Sequence, residues 1–386
     1  MLFEKLYSDV HFQLEDHSAE FSVGDRIKGT VLITPRKSIS PQQLSISFEG
    51  KVNINIDRTE NAVPLAPSTA YQTFLHMEEP LELKHLLQPG LLLQAGLRYK
   101  IPFEFVVPSG IPHQICQHPC HHMQVRQEHL LLPPSIGQHD MTPEAISITY
   151  SINVRTTKGI RRDGVSTVAQ WVLPLAIHSP RPERAPVLVP EDSKFYCLSQ
   201  KKRITKSLLS LTQQGTLSVR ATQPTAIRQR EPAIGYIPVD LQYLAISQQH
   251  LPQVSLICVR LNAVTIFGEK PEVHLPEAMG SLEGDQYRRF HEQREPLGCS
   301  TPGPLEWHKH YPDDQSTLEA DTSKEVYNAS LKVLIKLPEQ LNLPPTFSCC
   351  LVSRIYSLTV TLQLRIPGQW SKNPSISMTV PVQICS

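Results

Sequence analysis

The chain has 386 residues, with 37 basic and 36 acidic side chains and a formal net charge of +1. A balance this even sets up no strong field, which argues against nucleic acid as a partner. The length fits two domains of about 150–200 residues better than one oversized core, and 34 prolines against 17 glycines favour many short strands over long helices.

The start, Met1 to Asp9, lacks a basic region followed by an apolar core, so no signal peptide is expected. No run approaches the roughly 20 apolar residues of a membrane-spanning helix. Eight cysteines without a secretory leader read as reduced thiols in a cytoplasmic protein. On the same ground Asn328-Ala329-Ser330 reads as a coincidental glycosylation triplet.

Taken in order, Val10, Phe12 and Leu14 alternate as a first strand, and Ser22-Val23-Gly24-Asp25 marks a turn. Strands are expected at 26–34, 44–48 and 52–56, a mobile loop over 58–72, and a further strand over 74–83. Leu81 to Leu93 offers at most a turn or two of helix, interrupted by Pro89 and Gly90. The strand at 99–108 places Ile101, Phe103, Phe105 and Val107 on one face. A loop rich in His and Cys follows, and then a strand at 146–154 with Ile146, Ile148, Tyr150, Ile152 and Val154 in phase. A closing strand spans 168–177, and the proline-rich stretch from Ser179 to Pro186 has no apolar period and reads as a linker.

Beyond the linker lies a basic patch at Lys201, Lys202, Arg203 and Lys206, which can meet acidic lipid headgroups or simply form a solvated turn. Alternation returns at 215–221, 236–246 and 254–267. Residues 268–325 are rich in Glu, His, Arg, Pro and Gly and read as a long, partly disordered insertion, whose His291, His308 and His310 can sense pH or stay merely solvated. Later strands are expected at 331–337, 358–366 and 378–384. The expected class is therefore all-β, two tandem antiparallel β-sandwich domains at 1–178 and 201–386, joined by a linker at 179–200.

Several segments together resemble one family. Phe21-Ser22-Val23-Gly24-Asp25-Arg26-Ile27-Lys28-Gly29-Thr30-Val31, Leu44 to Gly50, Ile101 to Pro108 and Leu132-Pro133-Pro134-Ser135-Ile136-Gly137 carry the likeness in the first half. Gly215-Thr216-Leu217, Ile237-Pro238-Val239, Leu343-Pro344-Pro345-Thr346-Phe347, Val352 to Leu358 and Val380 to Ile384 carry it in the second. Their order resembles that of the arrestins, specifically the alpha-arrestins, or arrestin-related trafficking adaptors, of fungal type. The resemblance implies two arrestin-like, immunoglobulin-like sandwiches and a non-enzymatic adaptor. Such an adaptor links membrane transporters or receptors to a HECT-type ubiquitin ligase for endocytosis. It implies a cytoplasmic protein recruited to the plasma membrane or endosomes through peripheral association, raising the effective concentration of ligase at cargo. One departure is plain: no Tyr closes a Pro-Pro-x-Tyr segment of the kind that docks on WW domains. Ligase contact is then indirect, or the chain acts as a retromer-like cargo-sorting coat component without ubiquitin.

The sharpest chemical constellation is His113, Cys116, His118, Cys120, His121, His122 and His129. Thiolates and imidazoles can hold zinc, with Cys116, His118, Cys120 and His122 as one tetrahedral set, which would make the chain a zinc-binding protein or a zinc-dependent enzyme built on the 113–129 loop. Against this, the ligands come from one loop with no second knuckle, and Cys116, His118 and His129 match positions of fungal arrestin-like proteins that the resemblance treats as metal-free. A hydrogen-bonded loop bracing the sandwich is the other reading. Cys349-Cys350 has no His nearby in sequence to serve as a base. Ser135 lacks the Gly-x-Ser-x-Gly elbow, and no glycine-rich phosphate loop is present. No cofactor and no catalytic residue is therefore expected. Arg354 sits among apolar residues, calls for a buried partner, and is a candidate member of an arrestin-like polar network.

Overall fold

In the computed structural model the described residues are 8–16, 18–38, 44–56, 59–60, 63–64, 68–79, 92–137, 139–161, 164–191, 193, 195–205, 213–229, 233–246, 251–276, 288–310, 325–366 and 374–385. Most of the expected helical turns at 81–93, and the end of the strand expected to reach Leu83, lie outside them. The regular elements of the described chain are almost all β-strands. It divides into two compact units: Met1–Pro180 with Phe267–His274 and Phe347–Val352, and Arg181–Ile266 with Leu275–Thr346 and Ser353–Ser386.

The first unit holds β1 (Ser8–Leu14), β2 (Glu20–Ser22), β3 (Arg26–Pro35), β4 (Leu44–Ile56), β5 (Thr59–Glu60), β6 (Val63–Pro64), β7 (Ser68–Glu78) and β8 (Tyr99–Val106), then helix α1 (Met123–Leu130), β9 (Ile146–Arg161) and β10 (Gly164–His178). A three-stranded sheet runs β1-β3-β8 and a five-stranded sheet runs β2-β10-β9-β4-β7, while β5 and β6 pair with each other. The expected loop over 58–72 thus carries a short strand pair and the start of β7.

Both sheets feed one core. Ile101, Phe103 and Phe105 of β8 and the alternate residues Ile146 to Val154 of β9 are buried together. Phe48 of β4 lies 6.0 Å from Phe105 across the sheets, and Phe74 of β7 meets Tyr150 edge-on at 5.5 Å. Edge-on and offset ring pairs suit the aromatic quadrupole.

Two sequence expectations are corrected here. The separate strands at 44–48 and 52–56 are one strand, because Gly50 is not a turn residue. It pairs with Tyr150, and a side chain there would start 2.5 Å from the Phe74 ring. The glycine exists to let Phe74 and Tyr150 close over it. The His/Cys loop, read without helix, contains α1 and a short 3-10 turn at His113–Ile115.

The chain continues through β11 (Ser199–Thr205), β12 (Gln213–Ala221), β13 (Ile227–Arg228), β14 (Ile234–Ala245), β15 (Gln253–Gly268), β16 (Arg288–Ser300), β17 (His308–His310) and β18 (Glu325–Lys336). It then forms β19 (Phe347–Ser348), which belongs to the first unit, and β20 (Val352–Arg365), β21 (Ser375–Val382) and β22 (Ile384–Cys385). The second unit has a five-stranded sheet β11-β12-β14-β18-β17, a sheet in which β16, β15, β20 and β21 are successive neighbours, and a β13-β22 pair. From Arg181 on, the stretch expected as a linker at 179–200 belongs to this unit: the Arg184 N–H donates to Gln383 Oε1 at 2.7 Å and the Val187 N–H to Gln223 Oε1 at 2.9 Å.

Two further corrections concern the second unit. Within the expected insertion 268–325, residues 288–300 are strand β16, whereas 277–287 and 311–324 lie outside the described residues. Not all eight cysteines are free thiols, because Cys258 of β15 and Cys299 of β16 form a disulfide that closes 41 residues. Closing a loop of that length restricts the unfolded chain. Reduction, or replacement of both cysteines by Ser, is expected to cost about 2–4 kcal/mol of stability. Alkylation before and after reduction, with denaturant unfolding, checks both the bond and its effect.

The two units repeat one local design. In the first, Tyr150 on β9 donates its hydroxyl to Pro133 O; Ser135 N donates to Ile177 O at 3.0 Å, and Ser135 Oγ accepts from Ile177 N at 2.8 Å. In the second, Tyr356 on β20 donates to Pro344 O at 2.7 Å; Thr346 N donates to Ile384 O at 2.9 Å, and Thr346 Oγ1 accepts from Ile384 N at 3.0 Å. The sheet orders β2-β10-β9-β4-β7 and β21-β20-β15-β16 correspond as well. So do the short parallel pairings of β2 with β10 and of β13 with β22. Each buried tyrosine hydroxyl has a carbonyl acceptor, and losing the hydroxyl orphans that acceptor. Tyr150→Phe and Tyr356→Phe are each expected to cost about 1–2 kcal/mol, measured by denaturant unfolding.

Candidate metal centre

The first unit brings four ligating side chains together: Cys116, His118, His129 and Cys350, with one ligand atom from each within 4.8 Å of all the others. Four segments deliver them. Cys116 ends the 3-10 turn, with its N–H donating to His113 O at 3.3 Å. His118 follows in the loop. His129 comes from α1, where Val125 and His129 are the only buried positions among the helix residues. Their i, i+4 spacing places both on the face turned inward. Cys350 lies 232 positions after His118, in a turn closed by the Cys349 N–H donating to Val352 O at 2.9 Å.

Three of the contacts in the quartet have the scale of a coordination sphere, and all its ligand atoms lie within 4.8 Å of one another. Cys116 Sγ is 3.3 Å from His118 Nε2 and 3.8 Å from His129 Nδ1, and His118 Nε2 is 3.3 Å from Cys350 Sγ. Tetrahedral zinc, with Zn–S near 2.3 Å and Zn–N near 2.0–2.1 Å, spaces its ligand atoms about 3.3–3.8 Å apart. His118 is also oriented for the task. Its Nδ1 lies 3.1 Å from Pro119 O, which needs a proton on Nδ1 and leaves the Nε2 lone pair facing both sulfurs.

Burial sets the electrostatics. Cys116 and His129 are fully buried and Cys350 is 3% exposed. Burial, reinforced by the nearby His118, pushes His129 down to about 4, so it is a neutral imidazole near pH 7. Burial, with Cys349 and Cys116 close by, pushes the Cys350 thiol far up. A divalent cation here would meet a neutral histidine able to ligate at once and would displace protons from thiols on binding.

The set differs from the one read in the sequence. Cys116 and His118 belong to it, but Cys120 and His122 do not. Cys120 Sγ sits 3.7 Å from His118 Nδ1, whereas Cys116 and Cys350 face Nε2 of the same ring. His122 is the exposed cap residue before α1. Sequence reasoning missed Cys350, and it placed no His beside Cys349-Cys350 where the fold sets His118. It named His129 only as part of the wider cluster. The one local signal for His129 was its spacing from Val125.

The remaining candidates lie elsewhere. Lys201, Lys202 and Arg203 are on edge strand β11, and Lys202 is occupied, donating to Ser375 O; Lys206 lies outside the described residues. Arg354 is fully buried, 5.7 Å from the centre of the Tyr356 ring. His291, His308 and His310 are exposed on β16 and β17. Phe347 is 1% exposed and the Pro133-Pro134 and Pro344-Pro345 segments are held by the tyrosine and hydroxyl bonds above. Neither segment is a free docking peptide. Among the described residues, no helix is long and apolar enough to cross a membrane.

A scan of protein-family models finds no match to this chain, and a search of curated proteins finds none either.

Proposed function

We propose that this is a zinc-binding protein built on tandem β-sandwiches, with the ion held by Cys116, His118, His129 and Cys350 in a structural role. The observation that carries this is the convergence of two sulfurs and two imidazole nitrogens to coordination spacing from segments far apart in sequence. All four ligands come from protein side chains, three of them buried. A closed site of that kind matches structural zinc rather than catalytic zinc, which keeps a position open. Metal analysis of the full-length protein after zinc loading and desalting tests it. About one zinc per chain, lost in Cys350→Ser, is expected; no retained zinc would refute the reading.

A second reading concerns what such a scaffold does. The repeated tyrosine-to-proline and hydroxyl-to-isoleucine bonding in both units, with matching sheet orders, supports two related sandwiches of the arrestin-like type. On that reading the protein is a non-enzymatic adaptor between membrane cargo and a ubiquitin ligase, reached indirectly, or a coat component that sorts cargo without one. Affinity purification from detergent-solubilised cells separates these. A HECT-type ligase with transporters supports the adaptor, coat subunits without a ligase support sorting, and neither refutes both.

A further inference from the structure

The loop that supplies Cys116 and His118 also holds both later parts of the chain that belong to the first unit. The chain returns to that unit twice, at Phe267–His274 and at Phe347–Val352. The second return brings Cys350 to His118. The first return meets the same loop at His121. Its N–H donates to Val273 O at 3.1 Å, and its ring stacks on His274 with centroids 4.3 Å apart and planes within 10°. The returns are bound to each other as well: the Gly268 N–H donates to Leu351 O at 3.1 Å and the Glu272 N–H to Cys350 O at 2.7 Å.

Both returns are short, so each must be fixed by its surroundings. A short segment gives up backbone freedom and has few contacts of its own to offset the loss. Phe347, Cys349, Cys350, Leu351 and Val352 are nonetheless all in the buried core of the unit. Without a cation, the links from Cys116 and Cys350 to the imidazoles are weak thiol hydrogen bonds of 3.3–3.8 Å. With one, they become coordinate bonds.

The geometry points to a metal-operated clasp: an ion at Cys116, His118, His129 and Cys350 locks residues 347–352 into the first unit and, through the loop it shapes, residues 267–274 as well. This rests on the zinc reading and adds what the zinc controls. Occupancy of the site becomes linked to the docking of two segments, because an ion that binds only the docked arrangement stabilises it.

Amide hydrogen exchange on the full-length protein, zinc-loaded against chelator-treated, tests it. The reporters are peptides carrying the N–H groups of His121, Gly268, Glu272 and Cys349, each bonded as described. Chelation is expected to speed their exchange about tenfold or more, while peptides of β4 and β9 stay protected. Cys350→Ser should show the fast pattern with or without zinc. Cys120→Ser, which leaves the quartet intact, should behave as the parent protein. Equal exchange in both forms, with zinc measured in the loaded sample, overturns the clasp and leaves the zinc site standing. Equal protection of these four amides and of β4 and β9 in the chelated protein also overturns it, since the two segments would then open only with the whole unit. Absence of zinc from the loaded protein overturns both.

Discussion

Stripping zinc from the protein is expected to lower the thermal midpoint of its metal-dependent transition by about 8–16 °C. A ligand present about a thousandfold above its dissociation constant adds about 4 kcal/mol to the state that binds it. For a unit of roughly 150–250 residues, each kcal/mol moves the midpoint about 2–4 °C. The binding state here needs Cys350 beside His118, a pairing the unfolded chain lacks, so little of the binding energy is spent on the unfolded ensemble. Differential scanning calorimetry with and without chelator measures the shift. Re-addition of zinc should restore it, and Cys350→Ser should show no shift in either direction. A midpoint indifferent to zinc in the parent protein would contradict a structural role.

The second large effect lies in the same unit, on β4. Glu49 on β4 is 2% exposed and is surrounded by partners: Arg155 Nη2 at 2.8 Å, Lys51 Nζ at 2.7 Å, His76 Nδ1 at 3.1 Å and Ser47 Oγ at 3.0 Å. Burial pushes its carboxyl up, but the bonds to Arg155 and Lys51 reverse this and hold it down at about 2. Because the folded value lies below the unfolded one, the stabilisation is complete above about pH 4.5 and is lost as pH falls toward about 2. Glu49→Gln leaves Arg155 and Lys51 facing a neutral amide in a largely buried site, at a cost of about 3–5 kcal/mol. Its unfolding free energy should also fall less steeply between about pH 4.5 and pH 2 than that of the parent protein. Denaturant titrations across that range measure both. Equal slopes would show that Glu49 is not the group that titrates.

Much of this fold is legible because strand alternation is written locally. Ile101, Phe103 and Phe105 can be placed on one face from their spacing alone, and they share a core. The misreadings have physical causes. The expected strands at 44–48 and 52–56 are one because Gly50 between them admits two aromatic rings, and such a glycine looks the same in sequence as one that turns the chain. Strand β16 is an edge whose residues are mostly exposed, so it carries no alternating apolar signal. Helix α1 buries only Val125 and His129, too narrow a stripe to register as amphipathic.

The candidate site was half legible for a related reason. Cys116 and His118 are close in sequence and the fold keeps them close, as local chemistry suggests. Cys120 and His122 share that proximity, yet Cys120 meets His118 at Nδ1 rather than at the Nε2 that faces Cys116 and Cys350, and His122 is the exposed cap of α1. Cys350 could not be found by spacing, because only tertiary structure carries it to His118. Glu49 gave no sign either. It sits on the face of β4 opposite Phe48, and a carboxylate in a strand ordinarily reads as the solvent side. Its burial follows from Arg155 and Lys51 packing against it.

The X-ray absorption spectrum of the zinc-loaded full-length protein decides whether Cys116, His118, His129 and Cys350 hold the ion. Two sulfurs at about 2.3 Å and two nitrogens at about 2.0–2.1 Å are the predicted shell. Cys350→Ser should lose a sulfur from that shell or lose the metal altogether. A shell of oxygen and nitrogen alone, or one that keeps two sulfurs in Cys350→Ser, would contradict the site proposed for Cys116, His118, His129 and Cys350.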